Sequence, residues 1–567
     1  MLTLNKKIVN EFKIEDLLLI IIIIFTYTSL IQYLNIKIFE QIILCIFFIL
    51  LNLIVLINNK NTLTRLVIIL GAISVCIYKI SNRGLDIHLN IDEALYMSCS
   101  RAILDKIPIE KLEGMNGSCF FIHHRWGLPL LGSQLINLTN VFNFFNVNNY
   151  IGYFITLGIA ISIGGLYREV FKDNKKYLFY IIILLSLFNI NLNYMRLEGQ
   201  LPNLFGIFFL VNIIKISISN YSYHTKTVLL ALSLVGISLF FNDILLATII
   251  FIFILNIFNY KIALSSMIIC FILLSPIMLD LYKHIMAYKF TNSGYEMPHK
   301  IKVSDVLGIE YFYDNYFEKI DFKTNLIKGS KYLHIVIELF LFIIVLNSRN
   351  ILLIFTFVFI YIFNIVIGFS FVNTYVIYKI NILLLPVLLI VIVQSISSLR
   401  DYKNIILTLV LFFTIFNFIN LLTDYKKYII EISEDEVMSI SKSNDYTKNC
   451  VVILRERVNV SNKSYLIQRN NDFILTSIID NLIIDDVEGL IGGSFANISN
   501  LQGNKNIQGK KVNEFNVCAL GINRYDNLEL SGNLIYHDNN ITIREYSLKF
   551  KDVASKTNEI REKIFLK

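Results

Sequence analysis

Long runs of hydrocarbon side chains recur along this chain, and they leave few folds open to it. Leu17–Phe25 and Phe251–Leu255 are apolar on every side of a helix. A helix of that kind has no polar face for water and belongs in a large core or in lipid. Crossing a bilayer takes roughly 20 mostly apolar residues. On that rule the sequence predicts about thirteen spans, near 16–34, 40–58, 64–80, 150–167, 177–194, 201–218, 227–242, 244–258, 262–280, 331–346, 351–370, 375–395 and 404–424. A mean hydropathy of +0.61 agrees, and only 6 prolines in the whole chain leave these helices largely uninterrupted. The first span lacks a small-residue cleavage site and others follow at once, so it reads as a retained helix and not a signal peptide.

Net charge is +8, but its placement points away from nucleic acid. With the N-terminus inside, Lys6, Lys7, Lys13, Arg168, Lys172, Lys215 and Lys403 gather at the inner ends of the spans, whereas the short outer loops hold only Lys37 and Arg196. Basic residues distributed in this way orient a membrane protein. The expectation is therefore a multi-pass protein of the cell membrane, with a cytoplasmic N-terminus and three larger pieces outside. These are 81–149, 281–330 and 425–567, leaving 1–80 as N-terminal spans and 150–424 as a transmembrane core.

From 425 onward the apolar runs shorten to strand length, at Val451–Leu454, Tyr465–Ile467 and Val517–Ile522. Asn533–Tyr536 and Ile541–Tyr546 flank a turn-like His537–Asn540 and predict a hairpin. Residues 473–484 and 552–566 read as helices. The whole is an expected extracytoplasmic α/β domain. Seven cysteines show no metal spacing. Cys99 with Cys119, and Cys450 with Cys518, are pairs that an oxidising exterior would let bond. The 281–330 segment mixes Tyr and Phe with charges, as a chain lying along a membrane interface does.

Four polar places interrupt the hydrocarbon. Asp86 and His88 lead into Asp92-Glu93-Ala-Leu-Tyr96. There Asp92 either caps a helix start or serves as a general base toward a hydroxyl. His123-His124-Arg125-Trp126-Gly-Leu-Pro129 joins two imidazoles and a guanidinium to the one Trp of the chain. Arg forks onto phosphate oxygens, and the alternative is interfacial anchoring. Arg196 and Glu198 are charges confined between two spans, poised for function or for pairing with each other. Tyr378 and Lys379 stand at the outer end of a late span, where Lys snorkels to the interface or meets a lipid phosphate. Asn242-Asp243 lies between two further spans and reads as a site or a turn.

The order of these places resembles that of GT-C fold membrane glycosyltransferases, the group of the lipid-A aminoarabinose transferases and protein O-mannosyltransferases. Their acidic outer loop, Asp-Glu-x-x-Tyr followed by a small residue, is matched here by Asp92, Glu93, Tyr96 and Ala102. Their Pro-containing stretch is matched by His123 to Leu131, although one Pro129 stands for the more usual Pro-Pro and three spans precede the loop instead of one. The resemblance implies transfer of a sugar from a polyprenyl-phosphate donor to an acceptor hydroxyl at the extracytoplasmic face. In that reading Asp92 is the base and Glu93 its helper. Arg125, Arg196 and Lys379 contact the donor phosphate. Asp86, His88, Tyr96, His123, His124, Glu198 and Tyr378 line the substrate site. Some relatives use a divalent metal ion, which Asp and Glu oxygens suit. Partners would be the lipid-linked sugar, membrane lipids and a glycan, lipid or protein acceptor. The rival readings are a lipid-linked oligosaccharide polymerase or ligase, a transporter or flippase, and a membrane assembly factor that performs no chemistry.

Overall fold

The structure is a computed structural model. It describes residues 13–33, 126–139, 147–171, 176–197, 200–279, 385–398, 403–426, 450–454, 516–523 and 532–549, together with 482–483, 506–507, 510–511 and scattered helical residues within 96–104 and 435–447. Contacts divide the chain into two units. One holds 1–75, 123–138 and 149–427, and the other holds 76–122, 139–148 and 428–567.

The described part of the first unit is helical. Its elements are α1 (Ile14–Tyr33), α2 (Gly127–Thr139), α3 (Val147–Phe171), α4 (Lys176–Leu187), α5 (Ile190–Leu197), α6 (Leu201–Ile218), α7 (Tyr223–Phe240), α8 (Leu245–Leu255), α9 (Tyr260–Leu274), α10 (Leu385–Ser398) and α11 (Lys403–Lys426). Short 3-10 turns at Asn242–Ile244, Ile257–Asn259 and Ser275–Ile277 join or extend them. Among the described residues, five stretches are long and apolar enough to cross a membrane: Glu15–Tyr33, Tyr150–Phe171, Leu201–Ile218, Tyr223–Phe240 and Ile257–Ile277. The outward faces are apolar as well. Leu264, Ile268, Phe271 and Ile272 on α9 and Ile405, Leu409, Phe412, Phe416 and Ile419 on α11 are exposed. Water disfavours so long an apolar surface, and lipid suits it. The described spans thus make a helical membrane protein. The expected spans 40–58, 64–80, 331–346 and 351–370 lie outside the described residues, as does the 281–330 segment.

Expectation and structure part at 177–194, where one continuous span breaks into α4 and α5. The cause is Asn189. Its Oδ1 accepts the backbone N–H groups of Asn191 and Leu192 at 3.0 and 3.3 Å, which starts a new helix with a side-chain cap. α6 begins with Pro202 in its first turn, where a missing N–H costs nothing. Phe205 of α6 stacks on Phe240 of α7 at 4.1 Å between centroids. Because Phe205 opens α6 and Phe240 closes α7, the two helices run antiparallel. Side-chain hydrogen bonds pin the neighbours in place. Tyr27 of α1 donates to the Leu273 carbonyl of α9, Ser29 meets Ser133 of α2, and Tyr167 of α3 donates to Gln394 of α10.

In the second unit a five-stranded sheet runs in the order β2-β1-β5-β7-β6. β1 (Cys450–Leu454) is parallel to β2 (Leu482–Ile483) and to β5 (Asn516–Ile522). β7 (Ile541–Lys549) is antiparallel to β5 and to β6 (Asn533–His537). A separate two-stranded ribbon pairs β3 (Asn506–Ile507) with β4 (Lys510–Lys511). Asp538 shapes the β6–β7 turn by accepting the N–H groups of Asn540 and Ile541. Within the expected helix 473–484, Leu482 and Ile483 instead form β2, because these apolar residues find ladder partners in Val452 and Ile453 of β1. A disulfide links Cys450 to Cys518 across β1 and β5, 68 residues apart. Closing a loop of that length removes about 4 kcal/mol of unfolded-chain freedom in the chain-entropy account.

One polar knot fastens the first unit. Lys13 precedes α1 and donates its backbone N–H to Asp16 Oδ2 at 2.8 Å, an arm of a capping box. Asp16 also accepts Lys215 Nζ at 2.7 Å and the Tyr221 hydroxyl at 2.7 Å. Lys215 sits in α6 with 0% of its side chain exposed. Its Nζ is also 3.5 Å from Glu15 Oε1, and Arg168 of α3 reaches the same oxygen at 3.8 Å. Lys13 pairs with Glu169. Gly165 makes room for all this, since a Cβ there would overlap Glu15 Oε1. Burial, and then the Asp16 carboxylate beside it, push the Tyr221 phenol up, so it remains a donor.

Removing one member of a buried charge pair leaves the other without compensation, at a cost of about 3–5 kcal/mol. Lys215→Met is expected to destabilise the detergent-solubilised protein by that much, read as a lower thermal midpoint. Asp16→Asn added to it should restore part of the loss by removing the stranded charge. A melt unchanged by Lys215→Met would show that the knot does not hold the helices.

Candidate functional site

Three buried polar groups gather at the end of the first unit away from the Lys215 knot. Helix α3 relates the two ends. Its Arg168 belongs to the knot and its Tyr153 to the other end, and 15 residues of helix separate them by about 22 Å. That is most of the roughly 30 Å hydrocarbon thickness of a bilayer.

Arg196 is the first of the three. The cap at Asn189 ends α4 and starts the short α5, which carries Arg196 in its last turn. The side chain is 5% exposed. Its guanidinium carbon lies 4.0 Å from the centroid of the Tyr153 ring, a cation–π contact. Nη2 donates to Asn193 Oδ1 at 3.3 Å. Asn193 is itself held, because its amide nitrogen donates to the carbonyls of Leu187 and Asn189 at 2.8 and 2.9 Å. Gly152 lets the Arg196 stem lie against α3, where a Cβ would come within 3.0 Å of Arg196 Cγ and 3.1 Å of Leu201 Cδ2. Arg196 Nε is buried and makes no hydrogen bond among the described residues.

Trp126 is the second, fully buried at 0% exposure. Its ring lies 6.1 Å from that of Tyr33 at the end of α1. The next residue, Gly127, packs flat on Phe240, and a Cβ there would overlap the Phe240 ring. The third is Asn242, at 3% exposure, two residues beyond Phe240. Gly206 of α6 admits the intervening Phe241. Trp126 Nε1 and both amide atoms of Asn242 lack hydrogen-bond partners among the described residues. Phe205, one turn into α6 from Leu201, stacks on Phe240. The Phe205–Phe240 layer thus lies one helical turn along α6 from Leu201, about 6 Å. Asn242 follows Phe240, where antiparallel α7 has run back toward the start of α6, so it lies on the Arg196 side of that layer.

A guanidinium held in low dielectric by a ring and a fixed amide is a ready anion site. Its charge is poorly screened there, and the planar fork suits phosphate oxygens. Of the other sequence-predicted residues, Tyr96 belongs to the second unit, where it is buried and its carbonyl accepts the Ser100 hydroxyl at 2.9 Å. Asp86, His88, Asp92, Glu93, His123, His124, Arg125, Glu198, Tyr378 and Lys379 lie outside the described residues, as does Cys119. Among the described residues no cluster of three His, Cys, Asp or Glu side chains could hold a metal ion.

Sequence reasoning read Lys13, Arg168 and Lys215 as orienting charges and missed their buried partners. The signal was present, because Glu15 and Asp16 open an apolar span and Lys215 falls inside another. Charges within spans demand partners. No protein-family model, curated protein or solved structure matches this chain.

The close approach of α2 to α7 rests on Gly127. Gly127→Ala is expected to destabilise the protein by about 1–3 kcal/mol through overpacking, read as a lower thermal midpoint. The emission of the chain's one tryptophan should shift with it, because Trp126 is the adjacent residue. An unchanged midpoint and spectrum would contradict the packing of Gly127 on Phe240.

Proposed function

We propose that this protein is an integral-membrane glycosyltransferase that moves a sugar from a polyprenyl-phosphate donor to an acceptor hydroxyl at the extracytoplasmic face. The observation that carries the reading is Arg196, a guanidinium nearly enclosed at one end of an apolar helical body, braced by Tyr153 and Asn193, with an Nε–H left to donate. A polyprenyl phosphate offers its charge at that depth, at the boundary between acyl chain and water. Glycosyl transfer from it turns a phosphodiester-like monoanion into a free phosphate with more negative charge. A fixed cation beside that phosphate stabilises the charge as it develops.

In the transfer Asp92 takes the proton of the acceptor hydroxyl. The oxygen forms a bond to the anomeric carbon, and the bond from that carbon to the phosphate oxygen breaks. Its electron pair stays with the departing polyprenyl phosphate, which Arg196 holds with Arg125 and Lys379. Glu93 assists Asp92. The Cys450–Cys518 disulfide supports an oxidising, extracytoplasmic setting for the C-terminal domain. The 13-span GT-C architecture and the cytoplasmic N-terminus belong to the same proposal.

Turnover of polyprenyl-phosphate sugars by the purified protein, with native acceptors found by mass spectrometry in a deletion strain, tests the reaction. Asp92→Asn should lose about 10²–10⁴-fold of the rate, as removal of a general base does, while the protein remains folded and inserted. Near-normal turnover would reduce Asp92 to a helix cap, and Glu93→Gln in parallel tests the choice between the two carboxylates. Orientation has its own measurement. Reporters fused after Lys403 and after Lys567 should score cytoplasmic and external, respectively. A cytoplasmic C-terminal domain would overturn the placement of the site.

A further inference from the structure

We infer that Trp126 and Asn242 form the sugar-recognising part of the donor site, at the same end of the first unit as the Arg196 guanidinium. The inference rests on the glycosyl-transfer reading and adds two residues and a ligand class to it.

Asn242 is 3% exposed, and neither its Nδ2 nor its Oδ1 has a hydrogen-bond partner among the described residues. A buried amide left in that state is destabilising, and a hydrocarbon of like size would be preferred there. The same holds for the Trp126 N–H, because a buried indole usually finds an acceptor. Two such groups at one place are explained if a bound molecule supplies the partners. Each buried group left unsatisfied in a packed core calls for an explanation, and a bound molecule supplies one for these two.

Asn242 offers two N–H donors and a carbonyl acceptor, and Trp126 offers one donor and an aromatic ring. A carboxamide bridges two neighbouring hydroxyls, donating to one and accepting from the other. An indole N–H donates to a third oxygen, and its ring lies against C–H faces. That set fits a sugar ring and gives an aliphatic chain nothing to bond. Neither side chain is charged, so the pair suits the neutral end of a ligand whose anionic end meets Arg196.

Gly127 and Phe241 tie Trp126 and Asn242 to the aromatic layer formed by Phe205 and Phe240. Asn242 follows Phe240 toward the start of α6, and Arg196 borders Leu201 there, so these groups belong to one end of the helices. A glycosyl phosphate bound at that end would meet Arg196 with its phosphate and the pair with its sugar.

Trp126 is the one tryptophan of the chain, so intrinsic emission reports this place alone. The experiment uses the purified full-length protein in nanodiscs. The probes are bare undecaprenyl phosphate and the same lipid carrying a hexose, an N-acetylhexosamine or a pentose. At least one glycosylated lipid should change Trp126 emission saturably and bind tenfold or more tighter than the bare lipid. Asn242→Leu should abolish that preference and raise the ligand-free thermal midpoint by roughly 2 °C, because the unpartnered amide is gone. Trp126→Phe, followed by displacement of a labelled donor, should lose the preference yet bind bare lipid as the wild type does. Arg196→Met should weaken bare and glycosylated lipids alike.

If bare lipid binds through Arg196 but no sugar adds affinity or alters Trp126 emission, the sugar subsite is overturned while the lipid-phosphate reading stands. Binding of no polyprenyl phosphate of any kind would overturn both. A sugar preference that survives Asn242→Leu and Trp126→Phe, or a midpoint lowered by Asn242→Leu, would return these residues to a purely structural role.

Discussion

Two carboxylates open helix α1 in surroundings that give them almost no water, and the placement of three helices follows from how they are neutralised. Asp16 is fully engaged, accepting from Lys215, Tyr221 and the Lys13 backbone. Glu15 is held by charge, between Lys215 and Arg168. A lysine in the interior of α6 could not be buried without them, nor they without it. The knot fixes the register of α1 against α3 and α6 at one end, where a slide of one residue would strand a charge in hydrocarbon. Elsewhere a side-chain hydrogen bond, from Asn212 Nδ2 of α6 to Ser162 Oγ of α3 at 3.1 Å, adds to apolar contacts that tolerate displacement far better.

With one end pinned, the lengths of α3 and α6 carry the polar groups of the other end across the apolar layer. There the packing is aromatic, through Phe205, Phe240 and Phe241, and glycines at 127 and 206 let backbone approach ring. The contrast between the ends is chemical. At the knot, opposite charges find one another and the sum is internal. At the far end Arg196 keeps a donor unspent, Trp126 likewise, and Asn242 both a donor and an acceptor. Among the described residues Glu15 makes no hydrogen bond either, but opposite charges flank it, whereas the spare groups of the far end have no partner of either kind.

The second unit is stabilised differently. Its mixed sheet has parallel pairs on one side, β2 with β1 and β1 with β5, and antiparallel pairs on the other. Parallel strands 68 residues apart in sequence close at a high entropic cost, and the Cys450–Cys518 bond constrains the unfolded chain across that very gap. The hairpin at the antiparallel side is local. The Asp538 carboxylate organises its turn by accepting the N–H groups of Asn540 and Ile541, and Asn523 and Ser439 hydrogen-bond to the same turn.

Hydropathy alone determined that this chain makes apolar helices of bilayer length, and it delimited α6 to the residue because a proline start and a run of hydrocarbon coincide there. Alternation and turn residues determined the β6–β7 hairpin, and Arg196 stood out as a charge confined between spans. These are local properties, set by neighbours within a few positions. Only the tertiary structure decided that Asn189 cuts a span in two, since an Asn within an apolar run can cap or merely be tolerated. It alone decided that Leu482–Ile483 joins a sheet, because a strand of two residues exists through its partner. It also paired Lys215 with Asp16, 199 residues away, and set Trp126 beside the layer that leads to Asn242. Burial and pairing are relations between distant segments, and no periodicity along the chain encodes which distant side chain will fill a given gap.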